Sequence, residues 1–355
     1  MEVSRPRCPH RVIAVQEATQ VGQARRAAMQ LAHELGFDET AAGRVGLAAT
    51  ELGTNLVKHA RGGRLMLAAV DGAGADDGEA LVELISVDDG PGIADLPRAL
   101  ADGFSTAGTL GGGLGAVRRL ARCFDAYSRP GAGSVFLARL GARSGPAGAA
   151  GDAAAHRQMG AVMVCAPGES VCGDGWAVGW ADDDVSVLVA DGLGHGPGAA
   201  QAAEAAVDAF ARGPAGAADA LVERLHAALG GTRGAAVAVA RVPGPGGALA
   251  YAGAGNICGR LFHGLRDQSL PSQPGTAGFA LRRVRGAVYD CVRPALLVMH
   301  SDGVTTRWSL PEDRGLLARH PSLLAAWLCA RHARGNDDAT VVAVRLAGDP
   351  AEAAS

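Results

Sequence analysis

The sequence predicts an α/β chain of two domains: an α/β sandwich with an anion-binding glycine loop, then a strand-rich sandwich covered by helices. Three observations carry this. An aperiodic Gly/Ala-rich stretch at 143–158 reads as a flexible linker between two regions, each long enough for its own core. Before it, a helix bearing Glu51 and Asn55, a strand running into Asp88, and the glycine loop Gly111–Gly115 follow one another in order. After it, strand-like segments recur, and acidic residues fall where they end. The domains are therefore placed at 1–142 and 159–347, with a tail at 348–355.

Composition narrows the class further. Hydrophobic residues make up 48% of the chain but aromatics only 4%, so Ala, Val and Leu must fill both cores. No apolar run approaches the roughly 18 to 20 residues of a membrane span, and MEVSRPRCPHRV lacks the apolar core of a signal peptide. A cytoplasmic protein without a membrane partner is expected. The net charge of −3, with no basic patch interleaved with aromatics, argues against a nucleic-acid partner. Seven cysteines without a C-x-x-C pair argue against zinc and disulfide frameworks, so free thiols are expected.

In the first domain, RVIAVQ (residues 11–16) reads as the opening strand, and Thr19 as the cap of a helix carrying Ala24, Ala27, Ala28, Leu31 and Leu35. Gly36 ends it. A second helix from Asp38 to Ala60 places Glu51 and Asn55 one turn apart on one face, with Lys58 and His59 beyond. On their own, these two residues also fit a plain solvated face. Strands at 64–70 and 80–87 follow, and the second leads into Asp88, Gly90 and Gly92, a carboxylate at a strand end where bare backbone admits close approach. Within Asp102–Leu120, Gly111, Gly112, Gly113 and Gly115 precede a helical AVRRLA run. A glycine loop feeding a helix N-terminus is an anion site, because unpaired N–H groups and the helix dipole point the same way.

These boxes, in this order, resemble the GHKL (Bergerat-fold) ATPases. The stretch DGFSTAGTLGGGLGAVRRL is most similar to the switch-protein serine kinases of the RsbT type. The resemblance implies an ATP site with Mg2+. Asn55 would hold the ion through its amide oxygen, and Glu51 would orient or deprotonate an attacking serine hydroxyl. Asp88 would accept from the adenine amino group, with Gly92 allowing close approach of the base and Gly90 in the same cofactor-binding set. Gly111, Gly113 and Leu114 would donate backbone N–H groups to phosphate. Phosphoryl transfer needs mostly positioning and charge neutralisation, which such parts supply. A sensor histidine kinase is the competing assignment, because AHELG echoes a phosphoacceptor box. His33, however, lies too near Glu51 in sequence to leave room for a dimerisation hairpin.

The second region contains the segments MGAVMVCA, WAVGW, VSVLVAD, AAVAVARV, ALAYAGA, ALLVMH and ATVVAVRL, with two helical stretches after the third, the first opening at Pro197. Asp174, Asp191, Asp302, Asp337 and Asp338 all sit at strand ends. Asp-Gly is above all a turn signal, so each alone is weak. Together, carboxylates on one edge of a sandwich suit hard divalent ions.

The ordered set GDGW, DGLGHG, YAGAGN, SDG and NDDAT resembles the PPM-type, metal-dependent serine/threonine phosphatases of the SpoIIE-like branch, with the RsbX type most similar. That resemblance implies an α/β-β/α sandwich and two Mg2+ or Mn2+ ions, which would activate a water and neutralise phosphoryl oxygens. Asp191 and the Gly192 carbonyl would bind the pair, with Asp174 close by. Asp302 and Asp337 would complete the set, and Asp338 is a substitute for Asp337. His195 is assigned as an acid toward the leaving serine oxygen, although a Gly-flanked His also fits a surface turn. Asn256 departs from the His that many relatives carry in the corresponding A-G-H segment.

The combined expectation is a kinase–phosphatase fusion acting on STAS-domain antagonist or stressosome proteins in a sigma-factor pathway. Two alternatives remain for the first domain: a nucleotide-gated docking module with little kinase turnover, or an anti-sigma module.

Overall fold

The computed structural model describes residues 2–60, 62–72, 79–100, 113–143, 145, 158–181, 184–244, 247–310 and 313–346. The chain divides into two compact units, each drawn from more than one stretch. His10–Ala155 and Leu310–Trp327 form one unit; Met1–Pro9, His156–Ser309 and Leu328–Ser355 form the other. The first nine residues and the 310–327 segment therefore lie outside the domains expected from sequence. The reasons are specific pairings, given below.

The chain opens with β1 (Glu2–Ser4), which belongs to the second unit. The first unit then begins with β2 (Arg11–Val15) and α1 (Ala18–Glu34). Glu17, not Thr19, is the N-cap of α1. The Gln20 side-chain oxygen accepts from the Glu17 N–H at 3.0 Å, and the Thr19 hydroxyl donates to Glu17 at 2.9 Å. Gly36 has a φ of +79°, which lets the chain leave the helix. Helix α2 (Glu39–His59) is capped by Asp38, whose carboxylate accepts from the Ala41 N–H at 2.7 Å. Next come β3 (Gly63–Asp71), β4 (Ala80–Val87), the single-turn α3 (Leu96–Ala99), α4 (Gly113–Leu120), β5 (Cys123–Arg129) and β6 (Gly133–Leu140).

The five strands form an antiparallel sheet in the order β2-β3-β4-β6-β5. Helices α1, α2 and α4 pack on one face. Ala24, Ala28, Val45, Leu52, Leu56 and Val117 meet Val15, Leu65, Leu84 and Phe136 in one buried cluster. Alanine dominates the helix side, as 4% aromatics require. The sheet's other face is also buried, as Met66 and Leu137 show. There Glu83 is fully buried and paired with Arg139 at 2.7 Å and His10 at 3.1 Å, and the Ser322 hydroxyl donates to it at 3.3 Å. Asp313 accepts from the Tyr127 hydroxyl at 3.0 Å and from Arg129 at 2.8 Å, and Tyr127 meets Trp327 edge-on at 5.5 Å. These bonds draw Leu310–Trp327 into this unit.

The second unit is a sandwich of two antiparallel sheets. Its strands are β7 (Met159–Val164), β8 (Asp174–Ala181), β9 (Asp184–Gly192), β10 (Ala235–Val242), β11 (Leu249–Ala254), β12 (Cys258–His263), β13 (Arg266–Leu270), β14 (Ala287–Tyr289), β15 (Ala295–His300) and β16 (Ala339–Leu346). One sheet runs β1-β8-β9-β10-β11-β14, the other β13-β12-β15-β16-β7. Trp176, Val189, Tyr251, Leu297 and Val342 interdigitate between them. Helices α5 (Pro197–Ala211) and α6 (Ala218–Ala228) cover the first sheet through Ala202, Phe210, Leu221 and Leu225. β1 joins by pairing Glu2 with Trp180 and Ser4 with Val178, capping the β8 edge. A last helix, α7, spans Pro321–His332. Among the described residues, no helix is long and apolar enough to cross a membrane.

Candidate active sites

In the first unit, the site residues gather around α2. Glu51 and Asn55 are half-buried on that helix, and the Asn55 Nδ2 is buried with no hydrogen-bond partner among the described residues. A buried amide N–H left without an acceptor costs free energy, and the amide oxygen beside it is the atom that would hold a hard cation. Helix α2 packs on α4 through Leu52, Leu56, Leu114 and Val117.

Asp88 follows β4 directly and is 9% exposed. Its Oδ1 accepts from the Gly90 N–H at 2.8 Å, a turn that fixes the carboxylate's orientation. A Cβ at position 92 would lie 2.2 Å from the Arg129 carbonyl oxygen, and φ there is +70°, so only glycine fits. Gly113 opens α4 with φ +49°, and Leu114 is buried behind it. Gly111 lies outside the described residues, as does Ala101–Gly112 as a whole.

In the second unit, antiparallel pairing brings Asp174, the first residue of β8, opposite Asp191 near the end of β9. Asp302 follows β15 and Asp337 precedes β16, which are neighbours in the other sheet. The Ser301 hydroxyl ties the two sheets: it donates to Asp174 at 2.6 Å and accepts from the Thr340 N–H at 3.0 Å. Asn256, in the departing segment, donates its amide to Asp302 at 2.7 Å. Neither Ser301 nor Asn256 was assigned a site role from sequence; adjacency to Asp302 is the signal for the first.

Acidic neighbours act on both Asp191 and Asp174. Burial, followed by the charge of Asp174, Asp302, Asp337 and Asp338, pushes the Asp191 carboxyl up to about 9. Burial and the same two neighbours, Asp338 and Asp337, push Asp174 up to about 7, against the hydrogen bond from Ser301. Mutually repelling hard oxygen donors at one end of a sandwich are a donor set that divalent cations neutralise, so the residues fit two Mg2+ or Mn2+ ions.

The Asp338 Oδ1 accepts from the Ala166 N–H at 2.7 Å and its Oδ2 from the Gly173 N–H at 2.9 Å, so it clasps the β7–β8 loop. Gly192 is buried, and a Cβ there would lie 2.2 Å from the Ala199 carbonyl oxygen, so glycine lets α5 approach the acidic strand end. His195 is exposed and its Nδ1 meets Glu169 at 2.7 Å, a contact sequence spacing does not disclose.

Comparison with known proteins bears on both units. Residues 14–138 match the histidine kinase-like ATPase domain family, and residues 181–347 match the stage II sporulation protein E (SpoIIE) family. The chain is 38% identical over 115 residues to serine/threonine-protein kinase RsbT of Bacillus subtilis (strain 168), covering 32% of this chain and 84% of that kinase. A solved structure described as "The bacterial stressosome: a modular system that has been adapted to control secondary messenger signaling" is 27% identical, with a TM-score of 0.50, over 53% of this chain and 99% of that one. RsbX in complex with magnesium is 21% identical, with a TM-score of 0.47, over 54% of this chain and 95% of that one. Through its first domain the chain belongs to the RsbT family, and it joins that domain to one that matches the SpoIIE family.

Proposed function

We propose that this chain sets and resets one phosphorylation switch. Its first domain phosphorylates a serine or threonine on a STAS-domain antagonist, and its second removes that phosphate. What supports the reading is the union in one chain of an RsbT-like domain with a second domain that pairs Asp174 opposite Asp191 and sets Asp302 and Asp337 at the ends of neighbouring strands.

In the kinase half, Asn55 and the N-terminus of α4 hold ATP–Mg2+, Asp88 orients the base, and Glu51 takes the proton of the incoming hydroxyl. In the phosphatase half, Asp174, Asp191, Asp302, Asp337 and the Gly192 carbonyl hold two Mg2+ or Mn2+ ions, which supply charge neutralisation and water activation when bound. Ser301 and Asn256 orient Asp174 and Asp302. His195, steered by Glu169, protonates the leaving serine oxygen.

The test is to incubate Asp302→Asn protein with labelled ATP, Mg2+ and purified STAS-domain proteins. Label on a serine or threonine of the STAS protein, removed on adding wild-type chain, is the expected result. ATP binding without label transfer would sink the kinase half and favour a nucleotide-gated docking module.

A further inference from the structure

Cysteine spacing in the sequence shows no pair, yet the fold makes one. Cys165 and Cys172 flank the loop joining β7 to β8, and their sulfurs and an Asp338 carboxylate oxygen all lie within 4.8 Å of one another. Cys165 is partly exposed and Cys172 is buried. The loop between them has several links to the phosphatase site. Ala166 and Gly173 donate to Asp338, the Gly173 carbonyl accepts from the Gly192 N–H at 2.9 Å, and Glu169 meets His195. Asp174 comes two residues after Cys172.

A soft metal ion is the competing occupant of this cluster. Asp338 already spends an acceptor position of each oxygen on a loop N–H, and the Cys172 thiol donates to the Val164 carbonyl at 3.7 Å, so the cluster falls short of the four ligands of a structural zinc site. Two neighbouring thiols, one of them within reach of solvent, are instead the arrangement of a pair that oxidises to a disulfide.

We propose that Cys165 and Cys172 are a redox-modification site, closed to a disulfide by hydrogen peroxide, that turns down the phosphatase half. The Cys165 sulfur attacks one peroxide oxygen, the O–O bond breaks, and sulfenic acid and water result. The Cys172 sulfur then displaces the sulfenic oxygen, which leaves as a second water carrying the remaining thiol proton. Both sulfurs are oxidised and one peroxide is reduced; an added dithiol reverses the step. Closing the bond draws the sulfurs to about 2.05 Å and moves the chain on either side of the Asp338 clasp. Displacement of about 1 Å at a reacting centre costs about a hundredfold in rate, so a drop of at least about tenfold is expected.

The activity arm rests on the phosphatase reading; the covalent arm does not. The full chain is treated with hydrogen peroxide, alkylated, and digested without reduction by a protease that cuts after Glu169. A peptide pair joined through Cys165 and Cys172 is expected, absent after dithiothreitol and absent in Cys165→Ser and Cys172→Ala. Hydrolysis of p-nitrophenyl phosphate with Mn2+ should fall on oxidation, return with dithiothreitol, and resist peroxide in both variants. Both thiols found alkylated after peroxide would overturn the proposal, as would one tightly held zinc per chain that shields them. A bridge with unchanged hydrolysis would overturn the control it exerts. A chain that never hydrolyses the phosphate ester but does form the bridge would count against the phosphatase reading alone.

Discussion

Arg139→Met tests the buried charge network on the second face of the kinase-like sheet. Glu83 is fully buried, and burial by itself would raise its carboxyl. Arg139, then His10, more than offset that and hold it at about 2 against an ordinary 4.5. The gap corresponds to about 3 kcal/mol of stability. A carboxyl whose folded pKa is depressed contributes in full above its unfolded value, so this contribution is present at neutral pH and disappears as pH falls from 4.5 toward about 2. Removing the guanidinium takes away the 2.7 Å bond to Glu83 and the 2.9 Å bond to Ser322, and leaves a buried carboxylate with His10 and the Ser322 hydroxyl as its partners. Breaking one side of a buried pair costs about 3–5 kcal/mol. Hydrogen exchange read by mass spectrometry localises the loss: protection of the β4 and β6 amides should fall by about a hundredfold or more, while β9 in the other unit serves as reference. The double variant Glu83→Leu, Arg139→Met, an apolar pair of similar volume, should recover most of it. Protection in Arg139→Met within about threefold of wild type would refute the reasoning.

Three further outcomes are expected. Asn55→Ala removes a buried amide without a partner, so thermal stability should hold or rise while binding of a fluorescent ATP analogue is lost; a folded variant with unchanged binding would remove Asn55 from the site. Asp191→Asn relieves repulsion among buried carboxylates, so the chelator-treated protein should gain at least about 1 kcal/mol in urea unfolding while Mn2+-dependent hydrolysis disappears. Asn256→Ala frees Asp302 from its 2.7 Å amide contact and should weaken Mn2+ binding about 10–100-fold by calorimetry; wild-type affinity would show the contact to be incidental.

Much of both sites is legible because chemistry here is carried by short local patterns. Glu51 and Asn55 share a face because they are one helical turn apart, and Asp88 ends a strand because an apolar run stops at it. Asp174, Asp191, Asp302 and Asp337 likewise betray themselves as acids at strand ends. Spacing says nothing of what meets a side chain from elsewhere. Asp338 and Asp337 are indistinguishable in NDDAT, yet the fold sets the Asp338 carboxylate over two N–H groups of a loop more than 160 residues earlier.

By itself the sequence determined two α/β domains, their order and the acidic strand ends, because helix and strand periods act over a few residues. Only the tertiary structure decided that β1 completes the second unit's sheet and that Leu310–Trp327 belongs with the first unit. It also decided that Ser301 ties Asp174 to β16 and that Cys165 faces Cys172. Those outcomes depend on which strand edge is open and on which buried charge needs a partner. Both are properties of the assembled sheets, settled by hydrogen bonds between residues far apart in the chain.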